Sequence, residues 1–445
     1  MKTPLAIYNL WHQGVKTLVS VGGVSFALLL VFMQLGFKGA VSTTATNVLD
    51  NLEFDILLRS HEYMHLYEAG RIERRWLDAA RGADNVENVV PFWITIQNWK
   101  TIPNKYQVPP LSDGDGIGLM RRSWLWWRGI EEYRAQYQPI AVMAFRPSDD
   151  VFRLEKIKDQ QSLLRNSSKL LIDDGSHDDY GPWNGVYFTK DDLRRNADIY
   201  QREFEIAGLY ELGTGLAANG AVVMGEKGFG RIWPGLPTSH FTSLALITTE
   251  DKSPDAVQRA VNSIRERTLG SKTEEESGGI VGSITRWFGI LPELKANGAV
   301  EVLTKQQAKE REVYRWLWQT PIGLIFQMGV VLALIVGAAI VYMILSTDVA
   351  NRLPEYATLL AMGYSRMYLA GIVMTQAILL CILGFVCAWG IAEVLYRITY
   401  WLSNLPLEMN PTRVVTVLVL GLVMCCVSGL FALRKLWKAE PASLF

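Results

Sequence analysis

Cysteine is scarce in this sequence. Its 445 residues include only four, Cys381, Cys387, Cys425 and Cys426, all within apolar stretches near the C-terminus. A disulfide framework is therefore excluded from the polar part of the chain. Small apolar side chains in helix contacts account for the four, with a redox pair at Cys425 and Cys426 as the remote alternative. Net charge is also missing, because 44 basic and 44 acidic residues cancel. A nucleic-acid binder would show a basic footprint, so no nucleic-acid partner is expected. A complete nucleotide-binding loop is lacking too. Residues 220–227 approach one, but Lys227 is displaced by one position and the Ser/Thr for magnesium is missing. They read as a turn between strands, and Gly114, Gly116 and Gly118 mark a second glycine-rich loop. No cofactor is expected in this chain, no catalytic residues are assigned, and any dependence on ATP and Mg requires a partner. The chain is not expected to be an enzyme by itself.

What is present is apolar sequence in long runs. A bilayer core needs about 20 mostly apolar residues as helix. Residues 17–37, 316–347, 367–392 and 414–433 carry no charge. Small residues recur in them, among them Gly22, Gly23, Gly337 and Gly384, and permit close helix approach. The expected fold is a membrane protein with four transmembrane helices in a one-plus-three layout. The spans are placed at 17–37, 316–347, 367–397 and 413–433. The first lacks a clear cleavage pattern after Phe37 and reads as an uncleaved anchor.

Sidedness follows from lysine and arginine near the span ends. Lys2 and Lys16 precede the first span, Arg352 and Arg366 lie between the second and third, and Arg434, Lys435 and Lys438 follow the fourth. These three segments share one side, which the rule makes cytoplasmic. Arg397 and Arg413 flank the opposite short loop at 398–412 and count weakly against it. Both termini are then cytoplasmic, and residues 38–315 form an outer domain.

That outer domain reads as mixed α and β. Strands are expected at 54–58, 89–97, 139–145 and 244–247, and helices at 68–80 and 255–267. Residues 271–279 read as a surface loop. A helical pattern over 304–318, with no strong breaker before Pro321, predicts a stalk continuing into the second span. Residues 38–49 would supply a shorter partner stalk. The run Trp124-Leu125-Trp126-Trp127 suits either a core element or an amphipathic binding surface, and the core is favoured.

His61-Glu62-Tyr63-Met64-His65 matches H-E-x-x-H. On a helix the two imidazoles would share a face and bind zinc, with Glu62 as general base. The motif directly follows an expected strand and has no evident third ligand. A polar strand-to-helix connection is therefore the preferred reading of His61, Glu62 and His65.

Two cytoplasmic segments are patterned for contact. In residues 1–16, Thr3 can cap a helix with Pro4 at its first position, placing Ile7, Leu10, Trp11 and Gly14 on one face against membrane lipid. In residues 348–366, Pro354 and Glu355 suit a helix start and Gly363 its end. Leu353, Ala357 and Leu360 form a stripe, with Tyr356, Leu359 and Met362 nearby. Such a short helix suits docking in a groove of another protein.

Several of these residues resemble the DevC family of ABC transporter permeases, within the wider MacB/FtsX-like group. The likeness lies in Thr320-Pro321-Ile322-Gly323 through Thr347-Asp348-Val349-Ala350, in Leu353-Pro354-Glu355-Tyr356 and in Ala361-Met362-Gly363-Tyr364. It continues in residues 32–37, 210–215, 303–305, 432–436 and 440–442. Residues 112–138 and 269–298 are longer than in typical members. The resemblance implies a MacB-like periplasmic domain and a homodimeric permease in a bacterial inner membrane. It implies a separate DevA/LolD-like ATPase, a DevB-like membrane-fusion adaptor and a TolC-like outer-membrane duct as partners. Lipid-like cargo, such as glycolipid, or other cargo would be exported by mechanotransmission, in which ATPase closure moves the periplasmic domain. By matching motif, Arg352, Leu353, Pro354, Glu355, Tyr356, Leu359, Met362, Gly363 and Tyr364 would seat on the ATPase. An FtsX-like regulator of a cell-wall hydrolase is the alternative with the same architecture, and a membrane zinc protease is the remote one.

Overall fold

The computed structural model describes residues 14–108, 131–132, 135–213, 215–233, 238–269, 300–403 and 405–438. Residues 1–13, the glycine-rich loop at 114–118, Trp124 to Trp127, the run at 271–279 and the tail beyond Lys438 lie outside them. Two units are distinguished, one of Thr43–Trp316 and one of Met1–Ser42 with Leu317–Phe445.

The first unit is built on a sheet. Its strands are β1 (Ile56–Ser60), β2 (Ile72–Glu73), β3 (Val86–Lys100), β4 (Gln107–Val108), β5 (Glu131–Glu132), β6 (Tyr137–Phe145), β7 (Lys169–Asp173), β8 (Asn196–Ile199), β9 (Arg202–Tyr210), β10 (Ala221–Gly225), β11 (Phe241–Thr242), β12 (Leu244–Thr249) and β13 (Val300–Thr304). Nine of them form one sheet in the order β13-β1-β12-β3-β6-β10-β7-β9-β8. Its pairs are antiparallel except β10 with β6 and β7 with β9. Successive strand side chains point to opposite faces. Leu57, Leu246, Phe92, Met143, Val223 and Leu171 thus share one core. Their neighbours Trp93, Val142, Val222 and Ile172 fill a second, and Ile56, Leu58, Ala245 and Ile247 a third. With both faces covered, the inner strands read as continuous apolar runs rather than alternating ones.

Helix α1 (Gly14–Asn51) precedes the sheet in the chain and contributes its last turns, including Val48 and Leu49, to the first core. Helices α2 (Arg74–Arg81), α3 (Glu155–Gln160), α4 (Glu226–Ile232) and α5 (Pro254–Leu269) connect strands. Leu77 of α2 and Ala260, Val261 and Ile264 of α5 cover the third core. Pro254 opens α5, where its missing N–H removes no helix bond.

Two expectations are corrected here. The helix predicted over 68–80 starts only at Arg74. Gly70 is left-handed (φ +72°), and Ile72–Glu73 pairs with Phe241–Thr242 instead. Residues 220–227 are not a turn between strands. Val222, Val223 and Met224 are buried on both faces of the sheet, and Gly225 leads directly into α4.

Helix α6 (Lys305–Trp318) follows β13, and α7 (Pro321–Asn351) begins after a two-residue break. The stalk and second span are therefore separate helices, and the second apolar helix starts at Pro321 rather than at 316. A residue before proline is driven out of helical conformation, and Thr320 is extended (φ −111°, ψ 152°). The freed carbonyl of Leu317 accepts from Gln327 Nε2 at 2.8 Å. A Cβ at Gly323 would collide with that same carbonyl.

Helix α8 (Leu353–Ala361), α9 (Arg366–Ser403) and α10 (Pro411–Lys438) complete the second unit. Among the described residues, four helices are long and apolar enough to cross a membrane: Thr17–Asn51, Pro321–Asn351, Arg366–Trp401 and Pro411–Leu433. Each runs beyond the charge-free stretch that predicted it. Ala27, Leu28, Val341, Cys381, Val417 and Cys425 belong to their common core. A Cβ on Gly337 would meet Ala27 and Met424, so the absence of a side chain sets that approach. Val331, Leu332, Val386 and Val419 remain exposed, as side chains facing lipid must.

Candidate functional site

The segment between the second and third apolar helices folds tightly. Asn351 ends α7, and the backbone N–H of Arg352 still donates to Asp348 O at 3.1 Å. Its side chain turns back. Arg352 Nε donates to Asp348 Oδ1 at 3.1 Å, and Nη1 lies 3.7 Å from Glu355 Oε2. The other oxygen of Asp348 accepts from Gln376 Nε2 of α9 at 2.6 Å. One carboxylate therefore joins the end of α7 to α9 and holds Arg352, the residue that precedes α8.

Below that network is a small apolar core of Val349, Tyr356, Leu369, Ile372, Val373 and Leu433, with Leu353 and Leu359 packed against it. Tyr356 is 3% exposed, and among the described residues its hydroxyl has no partner. Burial, helped by the nearby Asp348 charge, pushes its ionisation up to about 12, so it stays neutral.

Helix α8 closes with Gly363 in left-handed conformation (φ +88°). Tyr364 N donates to Leu359 O at 3.1 Å and Met362 N to Thr358 O at 3.0 Å. The six-residue bond from Tyr364 back to Leu359 is the glycine-terminated helix end of the Schellman type. Ser365 then accepts from Tyr368 N at 3.2 Å through its hydroxyl and starts α9. Tyr364 and Tyr368 stack with ring centres 5.0 Å apart.

The nine residues assigned to ATPase contact thus divide. Arg352, Leu353, Tyr356 and Leu359 face inward and fix α8 to α7 and α9. Pro354, Glu355, Met362, Gly363 and Tyr364 are exposed. The stripe read from the sequence cannot be followed at 357 and 360, whose side chains lie outside the described ones. Sequence reasoning missed Met367, which is 77% exposed in the first turn of α9. It had been absorbed into the third span. It also missed Gln376, whose link to Asp348 spans 28 positions and has no local signal.

The H-E-x-x-H residues form no helix. They occupy a turn after β1, with His61 and Glu62 exposed and His65 in an isolated bridge with Glu68. The shared helical face that zinc binding requires is therefore absent, and the expected strand-to-helix connection is instead a strand-to-strand turn. His65 packs 5.5 Å from the Trp316 ring, and burial lowers its proton affinity. Among the described residues, His177, Asp178 and Asp179 bring three ligand atoms together, all on exposed side chains.

Residues 328–441 match the family described as FtsX-like permease C-terminal. No curated protein matches the chain. Among solved structures, the extracellular domain of the noncanonic ABC-type transporter YknZ from Gram-positive bacteria is 12% identical. That alignment covers 56% of this chain and 100% of that one, at a TM-score of 0.29. The periplasmic region of MacB from Actinobacillus actinomycetemcomitans is 6% identical, covering 57% and 91%, at a TM-score of 0.30.

Proposed function

We propose that this FtsX-like permease domain belongs to the membrane subunit of an ABC exporter whose ATPase is a separate chain. The observation that carries the reading is the two-sided construction of α8. Its inner side chains Leu353, Tyr356 and Leu359 pack with Val349 of α7 and Leu369, Ile372 and Val373 of α9, while Asp348 of α7 holds Arg352, the residue before α8, and Gln376 of α9. The outer side of α8 presents Glu355, and the turn and helix start that follow it present Met362, Tyr364 and Met367, all exposed. A partner seated on that outer face would move α7 and α9 together. The partner best suited is a DevA/LolD-like ATPase, which would bind the ATP and Mg.

Mechanotransmission also needs a relay in the sheet unit. There the end of α1 and the start of α6 are tied to each other. Lys309 Nζ lies 2.5 Å from Asp50 Oδ1, and Lys305 Nζ donates to Leu52 O at 2.7 Å. The two helices by which the chain enters and leaves the sheet unit thus act on it as a pair. In the DevC-like reading the sheet unit is periplasmic, both termini are cytoplasmic, and the permease is a homodimer in the inner membrane. A DevB-like adaptor and a TolC-like duct would continue the path for lipid-like cargo.

Coupling is tested on the exposed face. Glu355→Lys and Met362→Asp should each lower ATPase copurification and stimulated turnover about ten-fold, as loss of an interface anchor does. Unchanged binding and turnover in both would remove the role. Leu359→Asp is a poor probe, because Leu359 packs inward and its loss would disturb the core around Tyr356.

A further inference from the structure

Lys38 is the first charged residue after the apolar run 17–37 of α1. A run of that length crosses the hydrocarbon core, about 30 Å, so Lys38 lies where lipid headgroups begin. Neighbouring helix ends mark the same level. Lys38 Nζ lies 5.8 Å from the ring centre of Trp318, the last residue of α6. Arg413, near the start of α10, sets its guanidinium against Gly39 and 5.7 Å from the Tyr396 ring centre. One turn beyond Tyr396, Tyr400 and Trp401 are exposed, as aromatic side chains at a membrane interface are.

The lysine sits in the seam between α1 and α7. Gln34, one turn earlier on the same face, lays its amide on Gly329 of α7, and Phe37 stacks on Phe326 with ring centres 5.5 Å apart. Lys38 is half-buried there. Among the described residues no hydrogen bond or ion pair engages its ammonium, and no acidic side chain acts on its charge. To one side of the seam Ile322, Ile325, Met328 and Leu332 stay exposed, three or four residues apart along α7.

Positive charge is in surplus at this level. The described acids of the second unit are Asp348, Glu355, Glu393 and Glu408. Asp348 and Glu355 attend Arg352 at the far end of α7, and Glu393 pairs with Arg397 at 3.1 Å. Only Glu408 remains to set against Lys38 and Arg413, and Arg413 Nη1 donates to its backbone carbonyl rather than to its carboxylate.

We propose that the outer end of the α1–α7 seam binds one anionic phospholipid, with Lys38 donating to its phosphate and an acyl chain lying on the exposed stripe of α7. The surplus charge selects an acidic headgroup over a zwitterionic one. The place of Lys38 at the edge of the hydrocarbon core selects a lipid over a soluble anion. Partial burial strengthens the bond over that of a fully hydrated cation. The site needs neither an ATPase nor a cargo, so its failure would leave the coupling reading standing.

The test uses the full chain in neutral detergent with three lipids of identical acyl chains: phosphatidylglycerol, phosphatidylcholine and diacylglycerol. Native mass spectrometry counts the lipid retained. Phosphatidylglycerol should be held most, phosphatidylcholine less and diacylglycerol least. Lys38→Gln should lower phosphatidylglycerol retention about ten-fold, as loss of one charge-assisted hydrogen bond does, and Lys38→Arg should keep most of it. Arg397→Gln, at an exposed cation already paired, should leave it unchanged. Phosphatidylglycerol carrying a diazirine in its acyl chain should label the peptides with Ile325 and Met328. Equal retention of the three lipids, retention unchanged in Lys38→Gln, an equal loss in Arg397→Gln, displacement by inorganic phosphate, or labelling confined to other helices would each overturn the proposal.

Discussion

Polar side chains are handled differently in the two units. In the sheet unit a buried acid collects several donors. Glu312 takes three, and Asp192 accepts from Trp183 N, Thr189 N and Arg195. Among the apolar helices, hydroxyls mostly return to their own backbone one turn earlier. Ser25 donates to Val21 O, Thr375 to Gly371 O and Thr416 to Thr412 O. Close approach there is set by glycine instead, as at Gly36 against Tyr396 and Gly384 against Val24. Water explains the contrast. An acid removed from water must be repaid locally, whereas a helix in lipid already satisfies its backbone and gains by packing. Removing such an acid should therefore be costly in the sheet unit, and adding a side chain at such a glycine costly among the apolar helices.

The largest effect is expected at Glu312. Glu312→Ala leaves Tyr63, Leu66 and Trp316 donors buried without an acceptor and should cost about 3–5 kcal/mol. Hydrogen exchange of the full chain would show it as lost protection at Leu66 and along α6. Wild-type protection at both would mean the clasp carries no stability.

Next is Gly36. A Cβ there would lie 2.5 Å from Tyr396 Oη, and that hydroxyl donates to Phe32 O. Gly36→Ala should cost about 1–3 kcal/mol through overpacking. Tyr396→Phe, which removes the nearest atom, should recover part of that in thermal unfolding of the purified protein. Thr375→Ala, a hydroxyl on its own helix, should stay within about 0.5 kcal/mol. If Thr375→Ala were as damaging as Gly36→Ala, the contrast between the units would fail.

The last effect is a slope. Asp173 is fully buried in the sheet unit, with one oxygen accepting from Gly175 N at 3.0 Å. Burial raises its ionisation to about 7. The folded chain then holds a proton that the unfolded chain releases near pH 4. The stabilisation is complete below that pH and is lost as pH rises through 7. The slope is at most about 1.4 kcal/mol per pH unit. Asp173→Asn should flatten the stability of the sheet unit between pH 4 and 7, and an unchanged slope would place the titrating group elsewhere.

Much of the layout was legible because it rests on local pattern. Charge-free runs marked the four apolar helices, and buried strands such as 139–145 and 244–247 showed as short apolar runs. The turn at Gly363 was visible because a glycine after a short helix has one favoured use. What escaped was non-local. Nothing near 68–80 announces that Ile72 pairs with Thr242, and nothing near Asp348 announces Gln376. The break at Gln319 and Thr320 was legible in principle, since the residue before Pro321 resists helix. The helical pattern on both sides concealed it. The orientation of α8 also escaped, because Arg352 reads as a surface cation until its partners are placed.

The most direct test of the central claim places p-benzoylphenylalanine at Met362 in cells and irradiates. The account predicts a covalent adduct with a nucleotide-binding ATPase, absent when the same group replaces lipid-facing Val386. No ATPase adduct at Met362, or equal adducts from both positions, would contradict it.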